Sequence, residues 1–501
     1  MSRWRRLSHR GLARASSPLR QARPGLSSPA MTTLTPKDIV RALKPLVGDD
    51  GALLTDIREM TSYLTEPRKR FHAPAVAVAL PGSVGALQAI CRWANQHRVP
   101  LVPQSGNTGL VGGQVPLSGN EVIVNLSRIN RVREVNAAAG HMTVEAGLIL
   151  EEAHQVAEAA GAIFPLWLAS QGSARIGGVL SSNAGGVQVL AYGNARELTL
   201  GVEAVLADGR LYNGLNALKK DNTGYDLKDL LVGAEGTLGF ITAATVKLFP
   251  IPEAQETALI NVADPGVALK LFYLLRERAG SRLTAFELMN RFGIELQLKY
   301  GLLPRDPTAS LSPWYVLAEV NRMKGGAPGA LQAALEEALG SGLVADAVVA
   351  ESEADRGLMW AAREQMSEVQ SKEGASIKHD VSVPIGAVPE LIAEGSAAVE
   401  RAIPGVRPCP FGHMGDGNIH FNFSQPAGAD PKAFMAREAD ANAAIYAVVR
   451  KLGGSVSAEH GIGQLKSGLL RQVKDPVALE MMQAIKAALD PNGILNPGKV
   501  L

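Results

Sequence analysis

Three of the chain's nine histidines fall in two short segments with the residue types of a metal-assisted active site. The first runs Phe411-Gly412-His413-Met414-Gly415-Asp416-Gly417-Asn418-Ile419-His420-Phe421-Asn422-Phe423, and the second Ser457-Ala458-Glu459-His460-Gly461-Ile462-Gly463. Gly415-Asp416-Gly417 reads as a turn, so His413 and His420 can face one point although they are seven residues apart. Two His and a Glu form a common catalytic zinc set, with three protein ligands and an open fourth position. Glu459 and His460 are adjacent, and neighbours in extended chain point to opposite faces. One can therefore ligate while the other acts on a substrate. Isolated histidines such as His72, His97, His154 and His379 read as ordinary packed or surface residues.

A second kind of chemistry is written in glycine. Residues 99–120 carry no charged side chain yet hold Gly106, Gly109, Gly112, Gly113 and Gly119. Closely spaced Gly residues let successive N–H groups converge on an anion without any Lys or Arg. Gly172 to Gly186 and Gly233 to Gly239 repeat the pattern. Any one of these could be only a set of tight turns, whereas three suit a long diphosphate ligand. No Gly-x-Gly-x-x-Gly follows a strand, and the Walker-like string at Gly493 ends in Val500 where Ser or Thr is needed.

Positioning such groups takes more than one core, and 501 residues with 52 Gly and 29 Pro suit at least two turn-rich domains. The pattern predicts helices over Lys37–Val47, Val84–His97 with Ser83 as N-cap, Gly329–Leu339 and Lys474–Leu489. It predicts strands over Ala75–Leu80, Val99–Val102, Val122–Leu126, Met142–Ala146, Thr199–Ala207 and Trp314–Val320, with a hairpin turn at Ala207–Arg210. The expected division is a leader over 1–34, a first α+β domain over 35–253, a second over 254–453 and a C-terminal segment over 454–501.

Charge narrows the partners. The formal net charge is +2, but residues 1–30 hold seven Arg and no acid, leaving 43 bases against 48 acids in the body. That body has no net positive field to drive nucleic-acid binding. Apolar runs such as Ala73 to Leu80 are strand-length, far below the roughly 20 residues of a bilayer crossing. Cys91 and Cys409 are too few for a disulfide framework, which favours a reducing compartment. The Arg- and Ser-rich leader has the composition of a transit peptide, or of an over-extended start before Met31. The expected location is cytoplasmic, or mitochondrial if the leader is a targeting signal.

Pro103-Gln104-Ser105-Gly106-Asn107-Thr108-Gly109-Leu110-Val111-Gly112-Gly113, with the later Ser-Asn-Ala-Gly-Gly and Gly-Ala-Glu-Gly-Thr-Leu-Gly, resembles the FAD-binding domain of vanillyl-alcohol oxidase type flavoproteins. The resemblance implies an α+β fold: a two-subdomain FAD-binding domain, an antiparallel-sheet cap domain, and a tail returning to the flavin through Leu495-Asn496-Pro497-Gly498-Lys499. It implies that Pro103, Gln104, Ser105, Gly106, Asn107, Thr108 and Gly109, with Gly172, Gly177, Gly178, Ser182, Asn183, Gly185 and Gly186, wrap the pyrophosphate. Glu235, Gly236 and Ile241 would lie along the adenosine half, with Asn496 completing the site. The first loop has no His, so the flavin is expected to be non-covalent.

From about Thr35 to Leu501 the chain is similar to D-2-hydroxyglutarate dehydrogenases, within the group holding D-lactate dehydrogenases and glycolate oxidase subunits. The Gly-His-x-Gly-Asp-Gly-Asn-x-His and Glu-His-Gly-x-Gly segments carry this likeness. Ser-Ala-Glu-His, Asn422 and Ile377-Lys378-His379-Asp380-Val381-Ser382-Val383-Pro384 favour the hydroxyglutarate branch. The likeness implies a divalent ion, zinc first, on His413, His420 and Glu459, with His460 as base. Arg363, Ser367, Lys378 and Asn422, with His460, would bind the substrate, Ser367 standing where the family more often has Thr. Arg363 lies in the helical stretch Ala361–Met366, where a solvent-facing Arg is equally at home. A free Arg363 cation would prefer a diacid to a monocarboxylate. An external electron acceptor is implied, with an electron-transfer flavoprotein as one candidate and a homodimer as a candidate assembly. A D-lactate or other D-2-hydroxy-acid dehydrogenase, a glycolate oxidase-like subunit and a non-catalytic flavin subunit stand as alternatives.

Overall fold

A computed structural model describes residues 34–501, so the expectations for the leader lie, Leu34 apart, outside the described residues. The architecture is α+β, built on four principal sheets. The first has the order Ala52–Leu54, Ala77–Leu80, Val122–Asn125, Leu101–Gln104, and its last three strands are parallel. Parallel neighbours need a crossover, which the helix Val84–His97 supplies. Ser83 Oγ caps that helix by accepting from Ala86 N at 3.2 Å. Ala77–Leu80 and Val122–Asn125 are buried at every position, as strands of a sheet covered on both faces must be. The predicted strand Val99–Val102 falls at Leu101–Gln104, and its carboxyl end opens into the first Gly-rich loop.

The second sheet is antiparallel, ordered Val132–Asn136, His141–Glu145, Phe240–Lys247, Thr199–Val205, Leu211–Asn213. The Ala207–Arg210 turn closes its last hairpin, where Leu206 N donates to Arg210 O at 2.9 Å. Helix Ile176–Ser181, which carries part of the second Gly segment, packs on the Phe240–Lys247 strand.

The third sheet, ordered Leu283–Asn290, Trp314–Arg322, Ala254–Val262, Asp346–Val349, is wholly antiparallel and covered by helices Pro265–Ala279 and Ala330–Gly340. In the fourth, Ser376–Ile377, Asp380–Ser382 and Arg407–Phe411 all pair with the strand Asn418–Ser424. A reciprocal bridge joins these two sheets: Leu288 N donates to Gly412 O at 2.8 Å and Gly412 N to Leu288 O at 2.9 Å. That register sets Glu287 beside His413.

The C-terminal segment divides between the two halves. Leu469 and Val473 pack on the core of the third and fourth sheets, whereas Ile485 and Leu489 pack against the second. Leu495 then runs parallel to Leu101 beside the first sheet, with Leu101 N on Ile494 O and Asn496 N on Leu101 O, both at 2.8 Å. No helix among the described residues is long and apolar enough to cross a membrane.

Buried Asp490 ends the last helix, Pro476–Leu489, and folds the tail back. Its carboxylate accepts from Ile494 N at 3.0 Å and Leu495 N at 2.8 Å and pairs with Lys486. Asp490→Ala leaves two amides and an ammonium without their partner, so it should cost about 3 kcal/mol. Denaturant unfolding monitored by circular dichroism checks this; an unchanged midpoint would remove the tail clasp from the stability argument.

Candidate active site

The strand Asn418–Ser424 supplies the platform. His420 and Asn422 are two apart and face the same side of it, with Asn422 buried. His413 follows the neighbouring strand Arg407–Phe411, and the short 3-10 turn Met414–Asp416 reverses the chain between them. The two imidazoles come to 5.2 Å between ring centres.

Both rings present Nε2 to one carboxylate. His413 Nε2 is 3.4 Å from Glu459 Oε1, and His420 Nε2 is 3.9 Å from Glu459 Oε2. Their Nδ1 atoms face two further acids: His413 Nδ1 is 2.8 Å from Glu287 Oε1, and His420 Nδ1 is 4.0 Å from Asp380 Oδ1. A carboxylate behind an imidazole fixes its tautomer and turns the opposite nitrogen toward a cation. One ligand atom from each of His413, His420 and Glu459 lies within 4.8 Å of the others, a spacing that fits a divalent ion.

Asp380 also holds the loop that carries Glu459. Asp380 Oδ2 accepts from Glu459 N at 2.8 Å and from His460 N at 3.0 Å, and lies 3.6 Å from His460 Nδ1. The adjacent side chains do not diverge, because the segment is not extended strand: Glu459 turns to the two histidines, yet ligand atoms of Asp380, Glu459 and His460 lie within 4.8 Å of one another, and Glu459 and His460 both line the cavity formed by the Gly-rich segments.

Electrostatics follow from burial against charge. Burial alone would raise Glu287, but His413 and Arg363 bring it down to about 2. Burial opposes charge on His413, yet Glu287 and Glu459 raise it to about 9. Glu459, among other acids, is pushed up to about 8 by burial. Burial, reinforced by His413, holds His420 well below the ordinary imidazole range, and burial likewise lowers His460, leaving it neutral and able to accept a proton.

Arg363 is buried at 6% exposure, so the solvent-facing reading of its helix is corrected. Its Nε donates to Glu287 Oε2 at 2.6 Å, and its guanidinium lies 5.1 Å from the centre of the Phe411 ring. It is therefore not a free cation. Lys378 has no anionic partner among the described residues: its Nζ donates to Ser367 O and Ser367 Oγ, both at 3.0 Å. Burial, helped by the like charge of Arg68, lowers Lys378 to about 8.

The cavity lined by the Gly-rich segments has a volume of about 530 Å³, within the usual range for cofactor clefts. Pro103, Gln104, Ser105, Gly106, Asn107, Thr108, Gly109, Gly177, Gly178, Ser182, Gly185, Glu235, Gly236 and Ile241 all line it. Side chains stitch the first loop to its surroundings: Gln104 Nε2 donates to Tyr63 O at 2.8 Å, and Asn107 Nδ2 to Ser62 O at 2.8 Å. The loop's backbone is thus left to face the cavity. A Cβ on Gly106 would strike the Ser173 carbonyl, so only Gly lets the first two loops meet. This cradle, mostly neutral backbone with Arg175 and Glu235 in its wall, fits a dinucleotide pyrophosphate.

Gly172, Asn183, Gly186 and Asn496 stand outside the lining. Asn183 takes a left-handed φ of 50° and accepts from Arg196 N at 2.9 Å. Gly186 packs under the Trp167 carbonyl, and Gly172 sits in a turn beside Glu151. Asn496 Nδ2 donates to Gly113 O at 2.9 Å and Glu235 O at 2.8 Å, clasping two Gly segments together.

Sequence reasoning assigned no role to Glu287, Asp380 or Arg68. Glu287 left a trace as the one acid inside the apolar run Leu283–Asn290, and Asp380 as an acid two residues from Lys378 in a short strand. The isolated histidines each make at least one hydrogen bond, although His154 leaves Nδ1 without a partner; His379, for example, bonds Phe421 O at 3.0 Å and Asn442 Oδ1 at 2.7 Å.

Comparison with known proteins agrees with this geometry. Residues 75–214 match a family described as FAD binding domain, and residues 251–500 one described as FAD linked oxidases, C-terminal domain. D-2-hydroxyglutarate dehydrogenase of Xanthomonas citri pv. viticola is 36% identical over 89% of this chain and 94% of its own. The mitochondrial D-2-hydroxyglutarate dehydrogenase of Bos taurus is 36% identical over 93% of this chain and 84% of its own. Among solved structures, p-cresol methylhydroxylase with substrate bound aligns with a TM-score of 0.74 at 18% identity, covering 93% of this chain and 96% of that one. Extended identity with these relatives, on this fold, makes the chain an FAD-linked oxidoreductase that belongs to the D-2-hydroxyglutarate dehydrogenase family.

Proposed function

We propose that this protein oxidises D-2-hydroxyglutarate to 2-oxoglutarate. One observation carries the reading: a His413, His420 and Glu459 cluster that reaches the cavity through Glu459, with Lys378 and a buried Arg363 on the adjoining elements. His413, His420 and Glu459 would hold a divalent ion, zinc by its ligand types, which would supply Lewis acidity to the 2-hydroxyl, and FAD in the Gly-rich cavity would supply the hydride acceptor.

The chain's own residues do the rest. Lys378 Nζ, presented by Ser367, pairs with the distal carboxylate, and Arg363 offers the remaining edge of its guanidinium beside it. Asn422 shares the His420 face and contributes an amide to the substrate's near end. His460, neutral because it is buried, takes the hydroxyl proton at Nε2 while Asp380 backs the opposite nitrogen. The proton leaves with His460 and the electron pair leaves with the hydride, so the product carbonyl forms without added water.

Lys378 gives this reading a sign. The amine is cationic below about pH 8 and neutral above it, so kcat/KM for D-2-hydroxyglutarate should fall as pH rises through that value. Lys378→Met should cost about 100-fold in kcat/KM for the diacid and much less for D-lactate. Steady-state assays across D-2-hydroxyglutarate, D-malate, D-lactate and glycolate check both points. A preference for D-lactate in the wild type would sink the substrate assignment.

His413→Ala separates the metal from the flavin. It should keep FAD, read from the absorbance of the purified protein. Substrate-dependent bleaching should slow by at least about 100-fold, because losing a ligand exceeds the 10- to 100-fold cost of disturbing its supports. Full bleaching in that variant would reject the metal site.

A further inference from the structure

The segment Ser457–Gly463 carries Glu459 and His460 without belonging to any helix or strand. Its position is set by two carboxylates, one buried and one half-buried, on different elements. Asp380, on the fourth sheet, accepts from Glu459 N and His460 N. Glu235, in the third Gly-rich segment, accepts from Ile462 N through Oε1 at 2.7 Å and from Gly463 N through Oε2 at 2.8 Å. Four amides within five residues are thereby fixed by two anions.

The backbone around Glu235 is arranged for this contact. Glu235 has a φ of 51°, a left-handed conformation that costs a non-glycine residue about 1–2 kcal/mol. Glycine would remove that strain, yet glutamate stands there amid Gly233, Gly236 and Gly239. Strain retained where glycine would relieve it points to a side chain with a task. The residue is held in place by Glu235 N on Ser181 O at 2.8 Å and by Asn496 Nδ2 on Glu235 O at 2.8 Å. On the loop side, Gly461 has a φ of 79°, and a Cβ there would lie 2.7 Å from Glu235 Oε1. Gly461 thus lets the carboxylate reach the two amides beyond it. Glu235 also lines the cofactor cavity beside Gly236, so one residue touches both the flavin's seat and the loop that bears the base.

We infer that Glu235 is a positioning residue that fixes Glu459 and His460 relative to the flavin cavity, through its bidentate hold on Ile462 N and Gly463 N. This rests on the reaction proposed above for its kinetic readout, but the clamp itself does not. Glutamine supplies one acceptor where two amides converge and turns its own NH2 toward the other, so Glu235→Gln opens half the clamp. Lys378, Ser367 and Arg363 lie on other elements and keep their hold on the substrate.

Hydrogen–deuterium exchange on the FAD-loaded protein tests the clamp, and steady-state kinetics test its consequence. Glu235→Gln should speed exchange in the 457–463 peptide by about tenfold, the loss of a charge-assisted hydrogen bond, without altering the Asn418–Ser424 peptide. In the same variant kcat should fall by about 10- to 100-fold with KM for D-2-hydroxyglutarate nearly constant and FAD content intact. Gly461→Ala, which crowds the contact from the loop side, should show the same signature and replaces Glu235→Gln if that variant does not fold. Unchanged loop exchange and kcat, or loss of FAD and a raised KM in place of the kcat effect, would overturn the inference. Faster loop exchange in a protein that leaves D-2-hydroxyglutarate unoxidised would uphold the clamp and overturn the reaction instead.

Discussion

Asp380 is a carboxylate at 2% exposure, and the site is organised around its need for compensation. A buried anion is tolerable only when donors and positive charge surround it. Burial would raise its pKa, but His460, His420, Lys466 and the Glu459 amide hold it well below the usual range. Two of its donors belong to a loop with no periodic structure of its own, and a third, Asn418 Nδ2 at 3.0 Å, belongs to the strand that carries His420. The anion therefore fastens loop to strand, and Glu459 comes to face His420 as a consequence.

Glu287 does the same from the other side. It lies one residue before Leu288, whose reciprocal bridge with Gly412 joins the third and fourth sheets. A one-residue slip in that pairing would turn Glu287 to the opposite face and leave both His413 Nδ1 and Arg363 without their acceptor. Sheet register and imidazole orientation are thus one constraint. The antiparallel architecture matters to the chemistry because it brings residues 126 positions apart within 2.8 Å.

Local features were legible in the sequence because their causes are local. The helix Val84–His97 has its Ser cap and amphipathic period, and the Ala207–Arg210 turn has its Asp-Gly pair. The His413, Glu459 and first-loop segments stood out because glycine and histidine are conspicuous at close spacing. The partners of those groups were not legible. Nothing near Arg363 in sequence names Glu287 as its acceptor, so a buried arginine read equally well as a surface one. Asn183, Gly186 and Asn496 show the same limit, since a Gly-rich string does not say which of its members face a cavity and which make the turns. The chain's tail returns to the first half at Leu495, as the resemblance implied, whereas Leu469 and Val473 earlier in the segment pack with the second, because the apolar residues of a short helix do not specify which neighbouring core receives them.

Charge is the subtlest of these cases. Net charge excluded a nucleic-acid surface but was silent on two anion sites, one walled mostly by neutral backbone and the other by buried cations. Within the second, the two cations are unequal. Arg363 is already neutralised by Glu287, so it can orient a carboxylate through its remaining N–H groups but adds little net field. Among the described residues Lys378 hydrogen-bonds the neutral oxygens of Ser367, and burial, helped by the like charge of Arg68, lowers its pKa. A second carboxylate on the substrate would supply a counterion, whereas a monocarboxylate would leave the ammonium buried and alone. On the proposed reading, selection for a diacid would fall to the lysine that Ser367 presents, and not to the arginine whose charge the fold has already used to hold His413 in place.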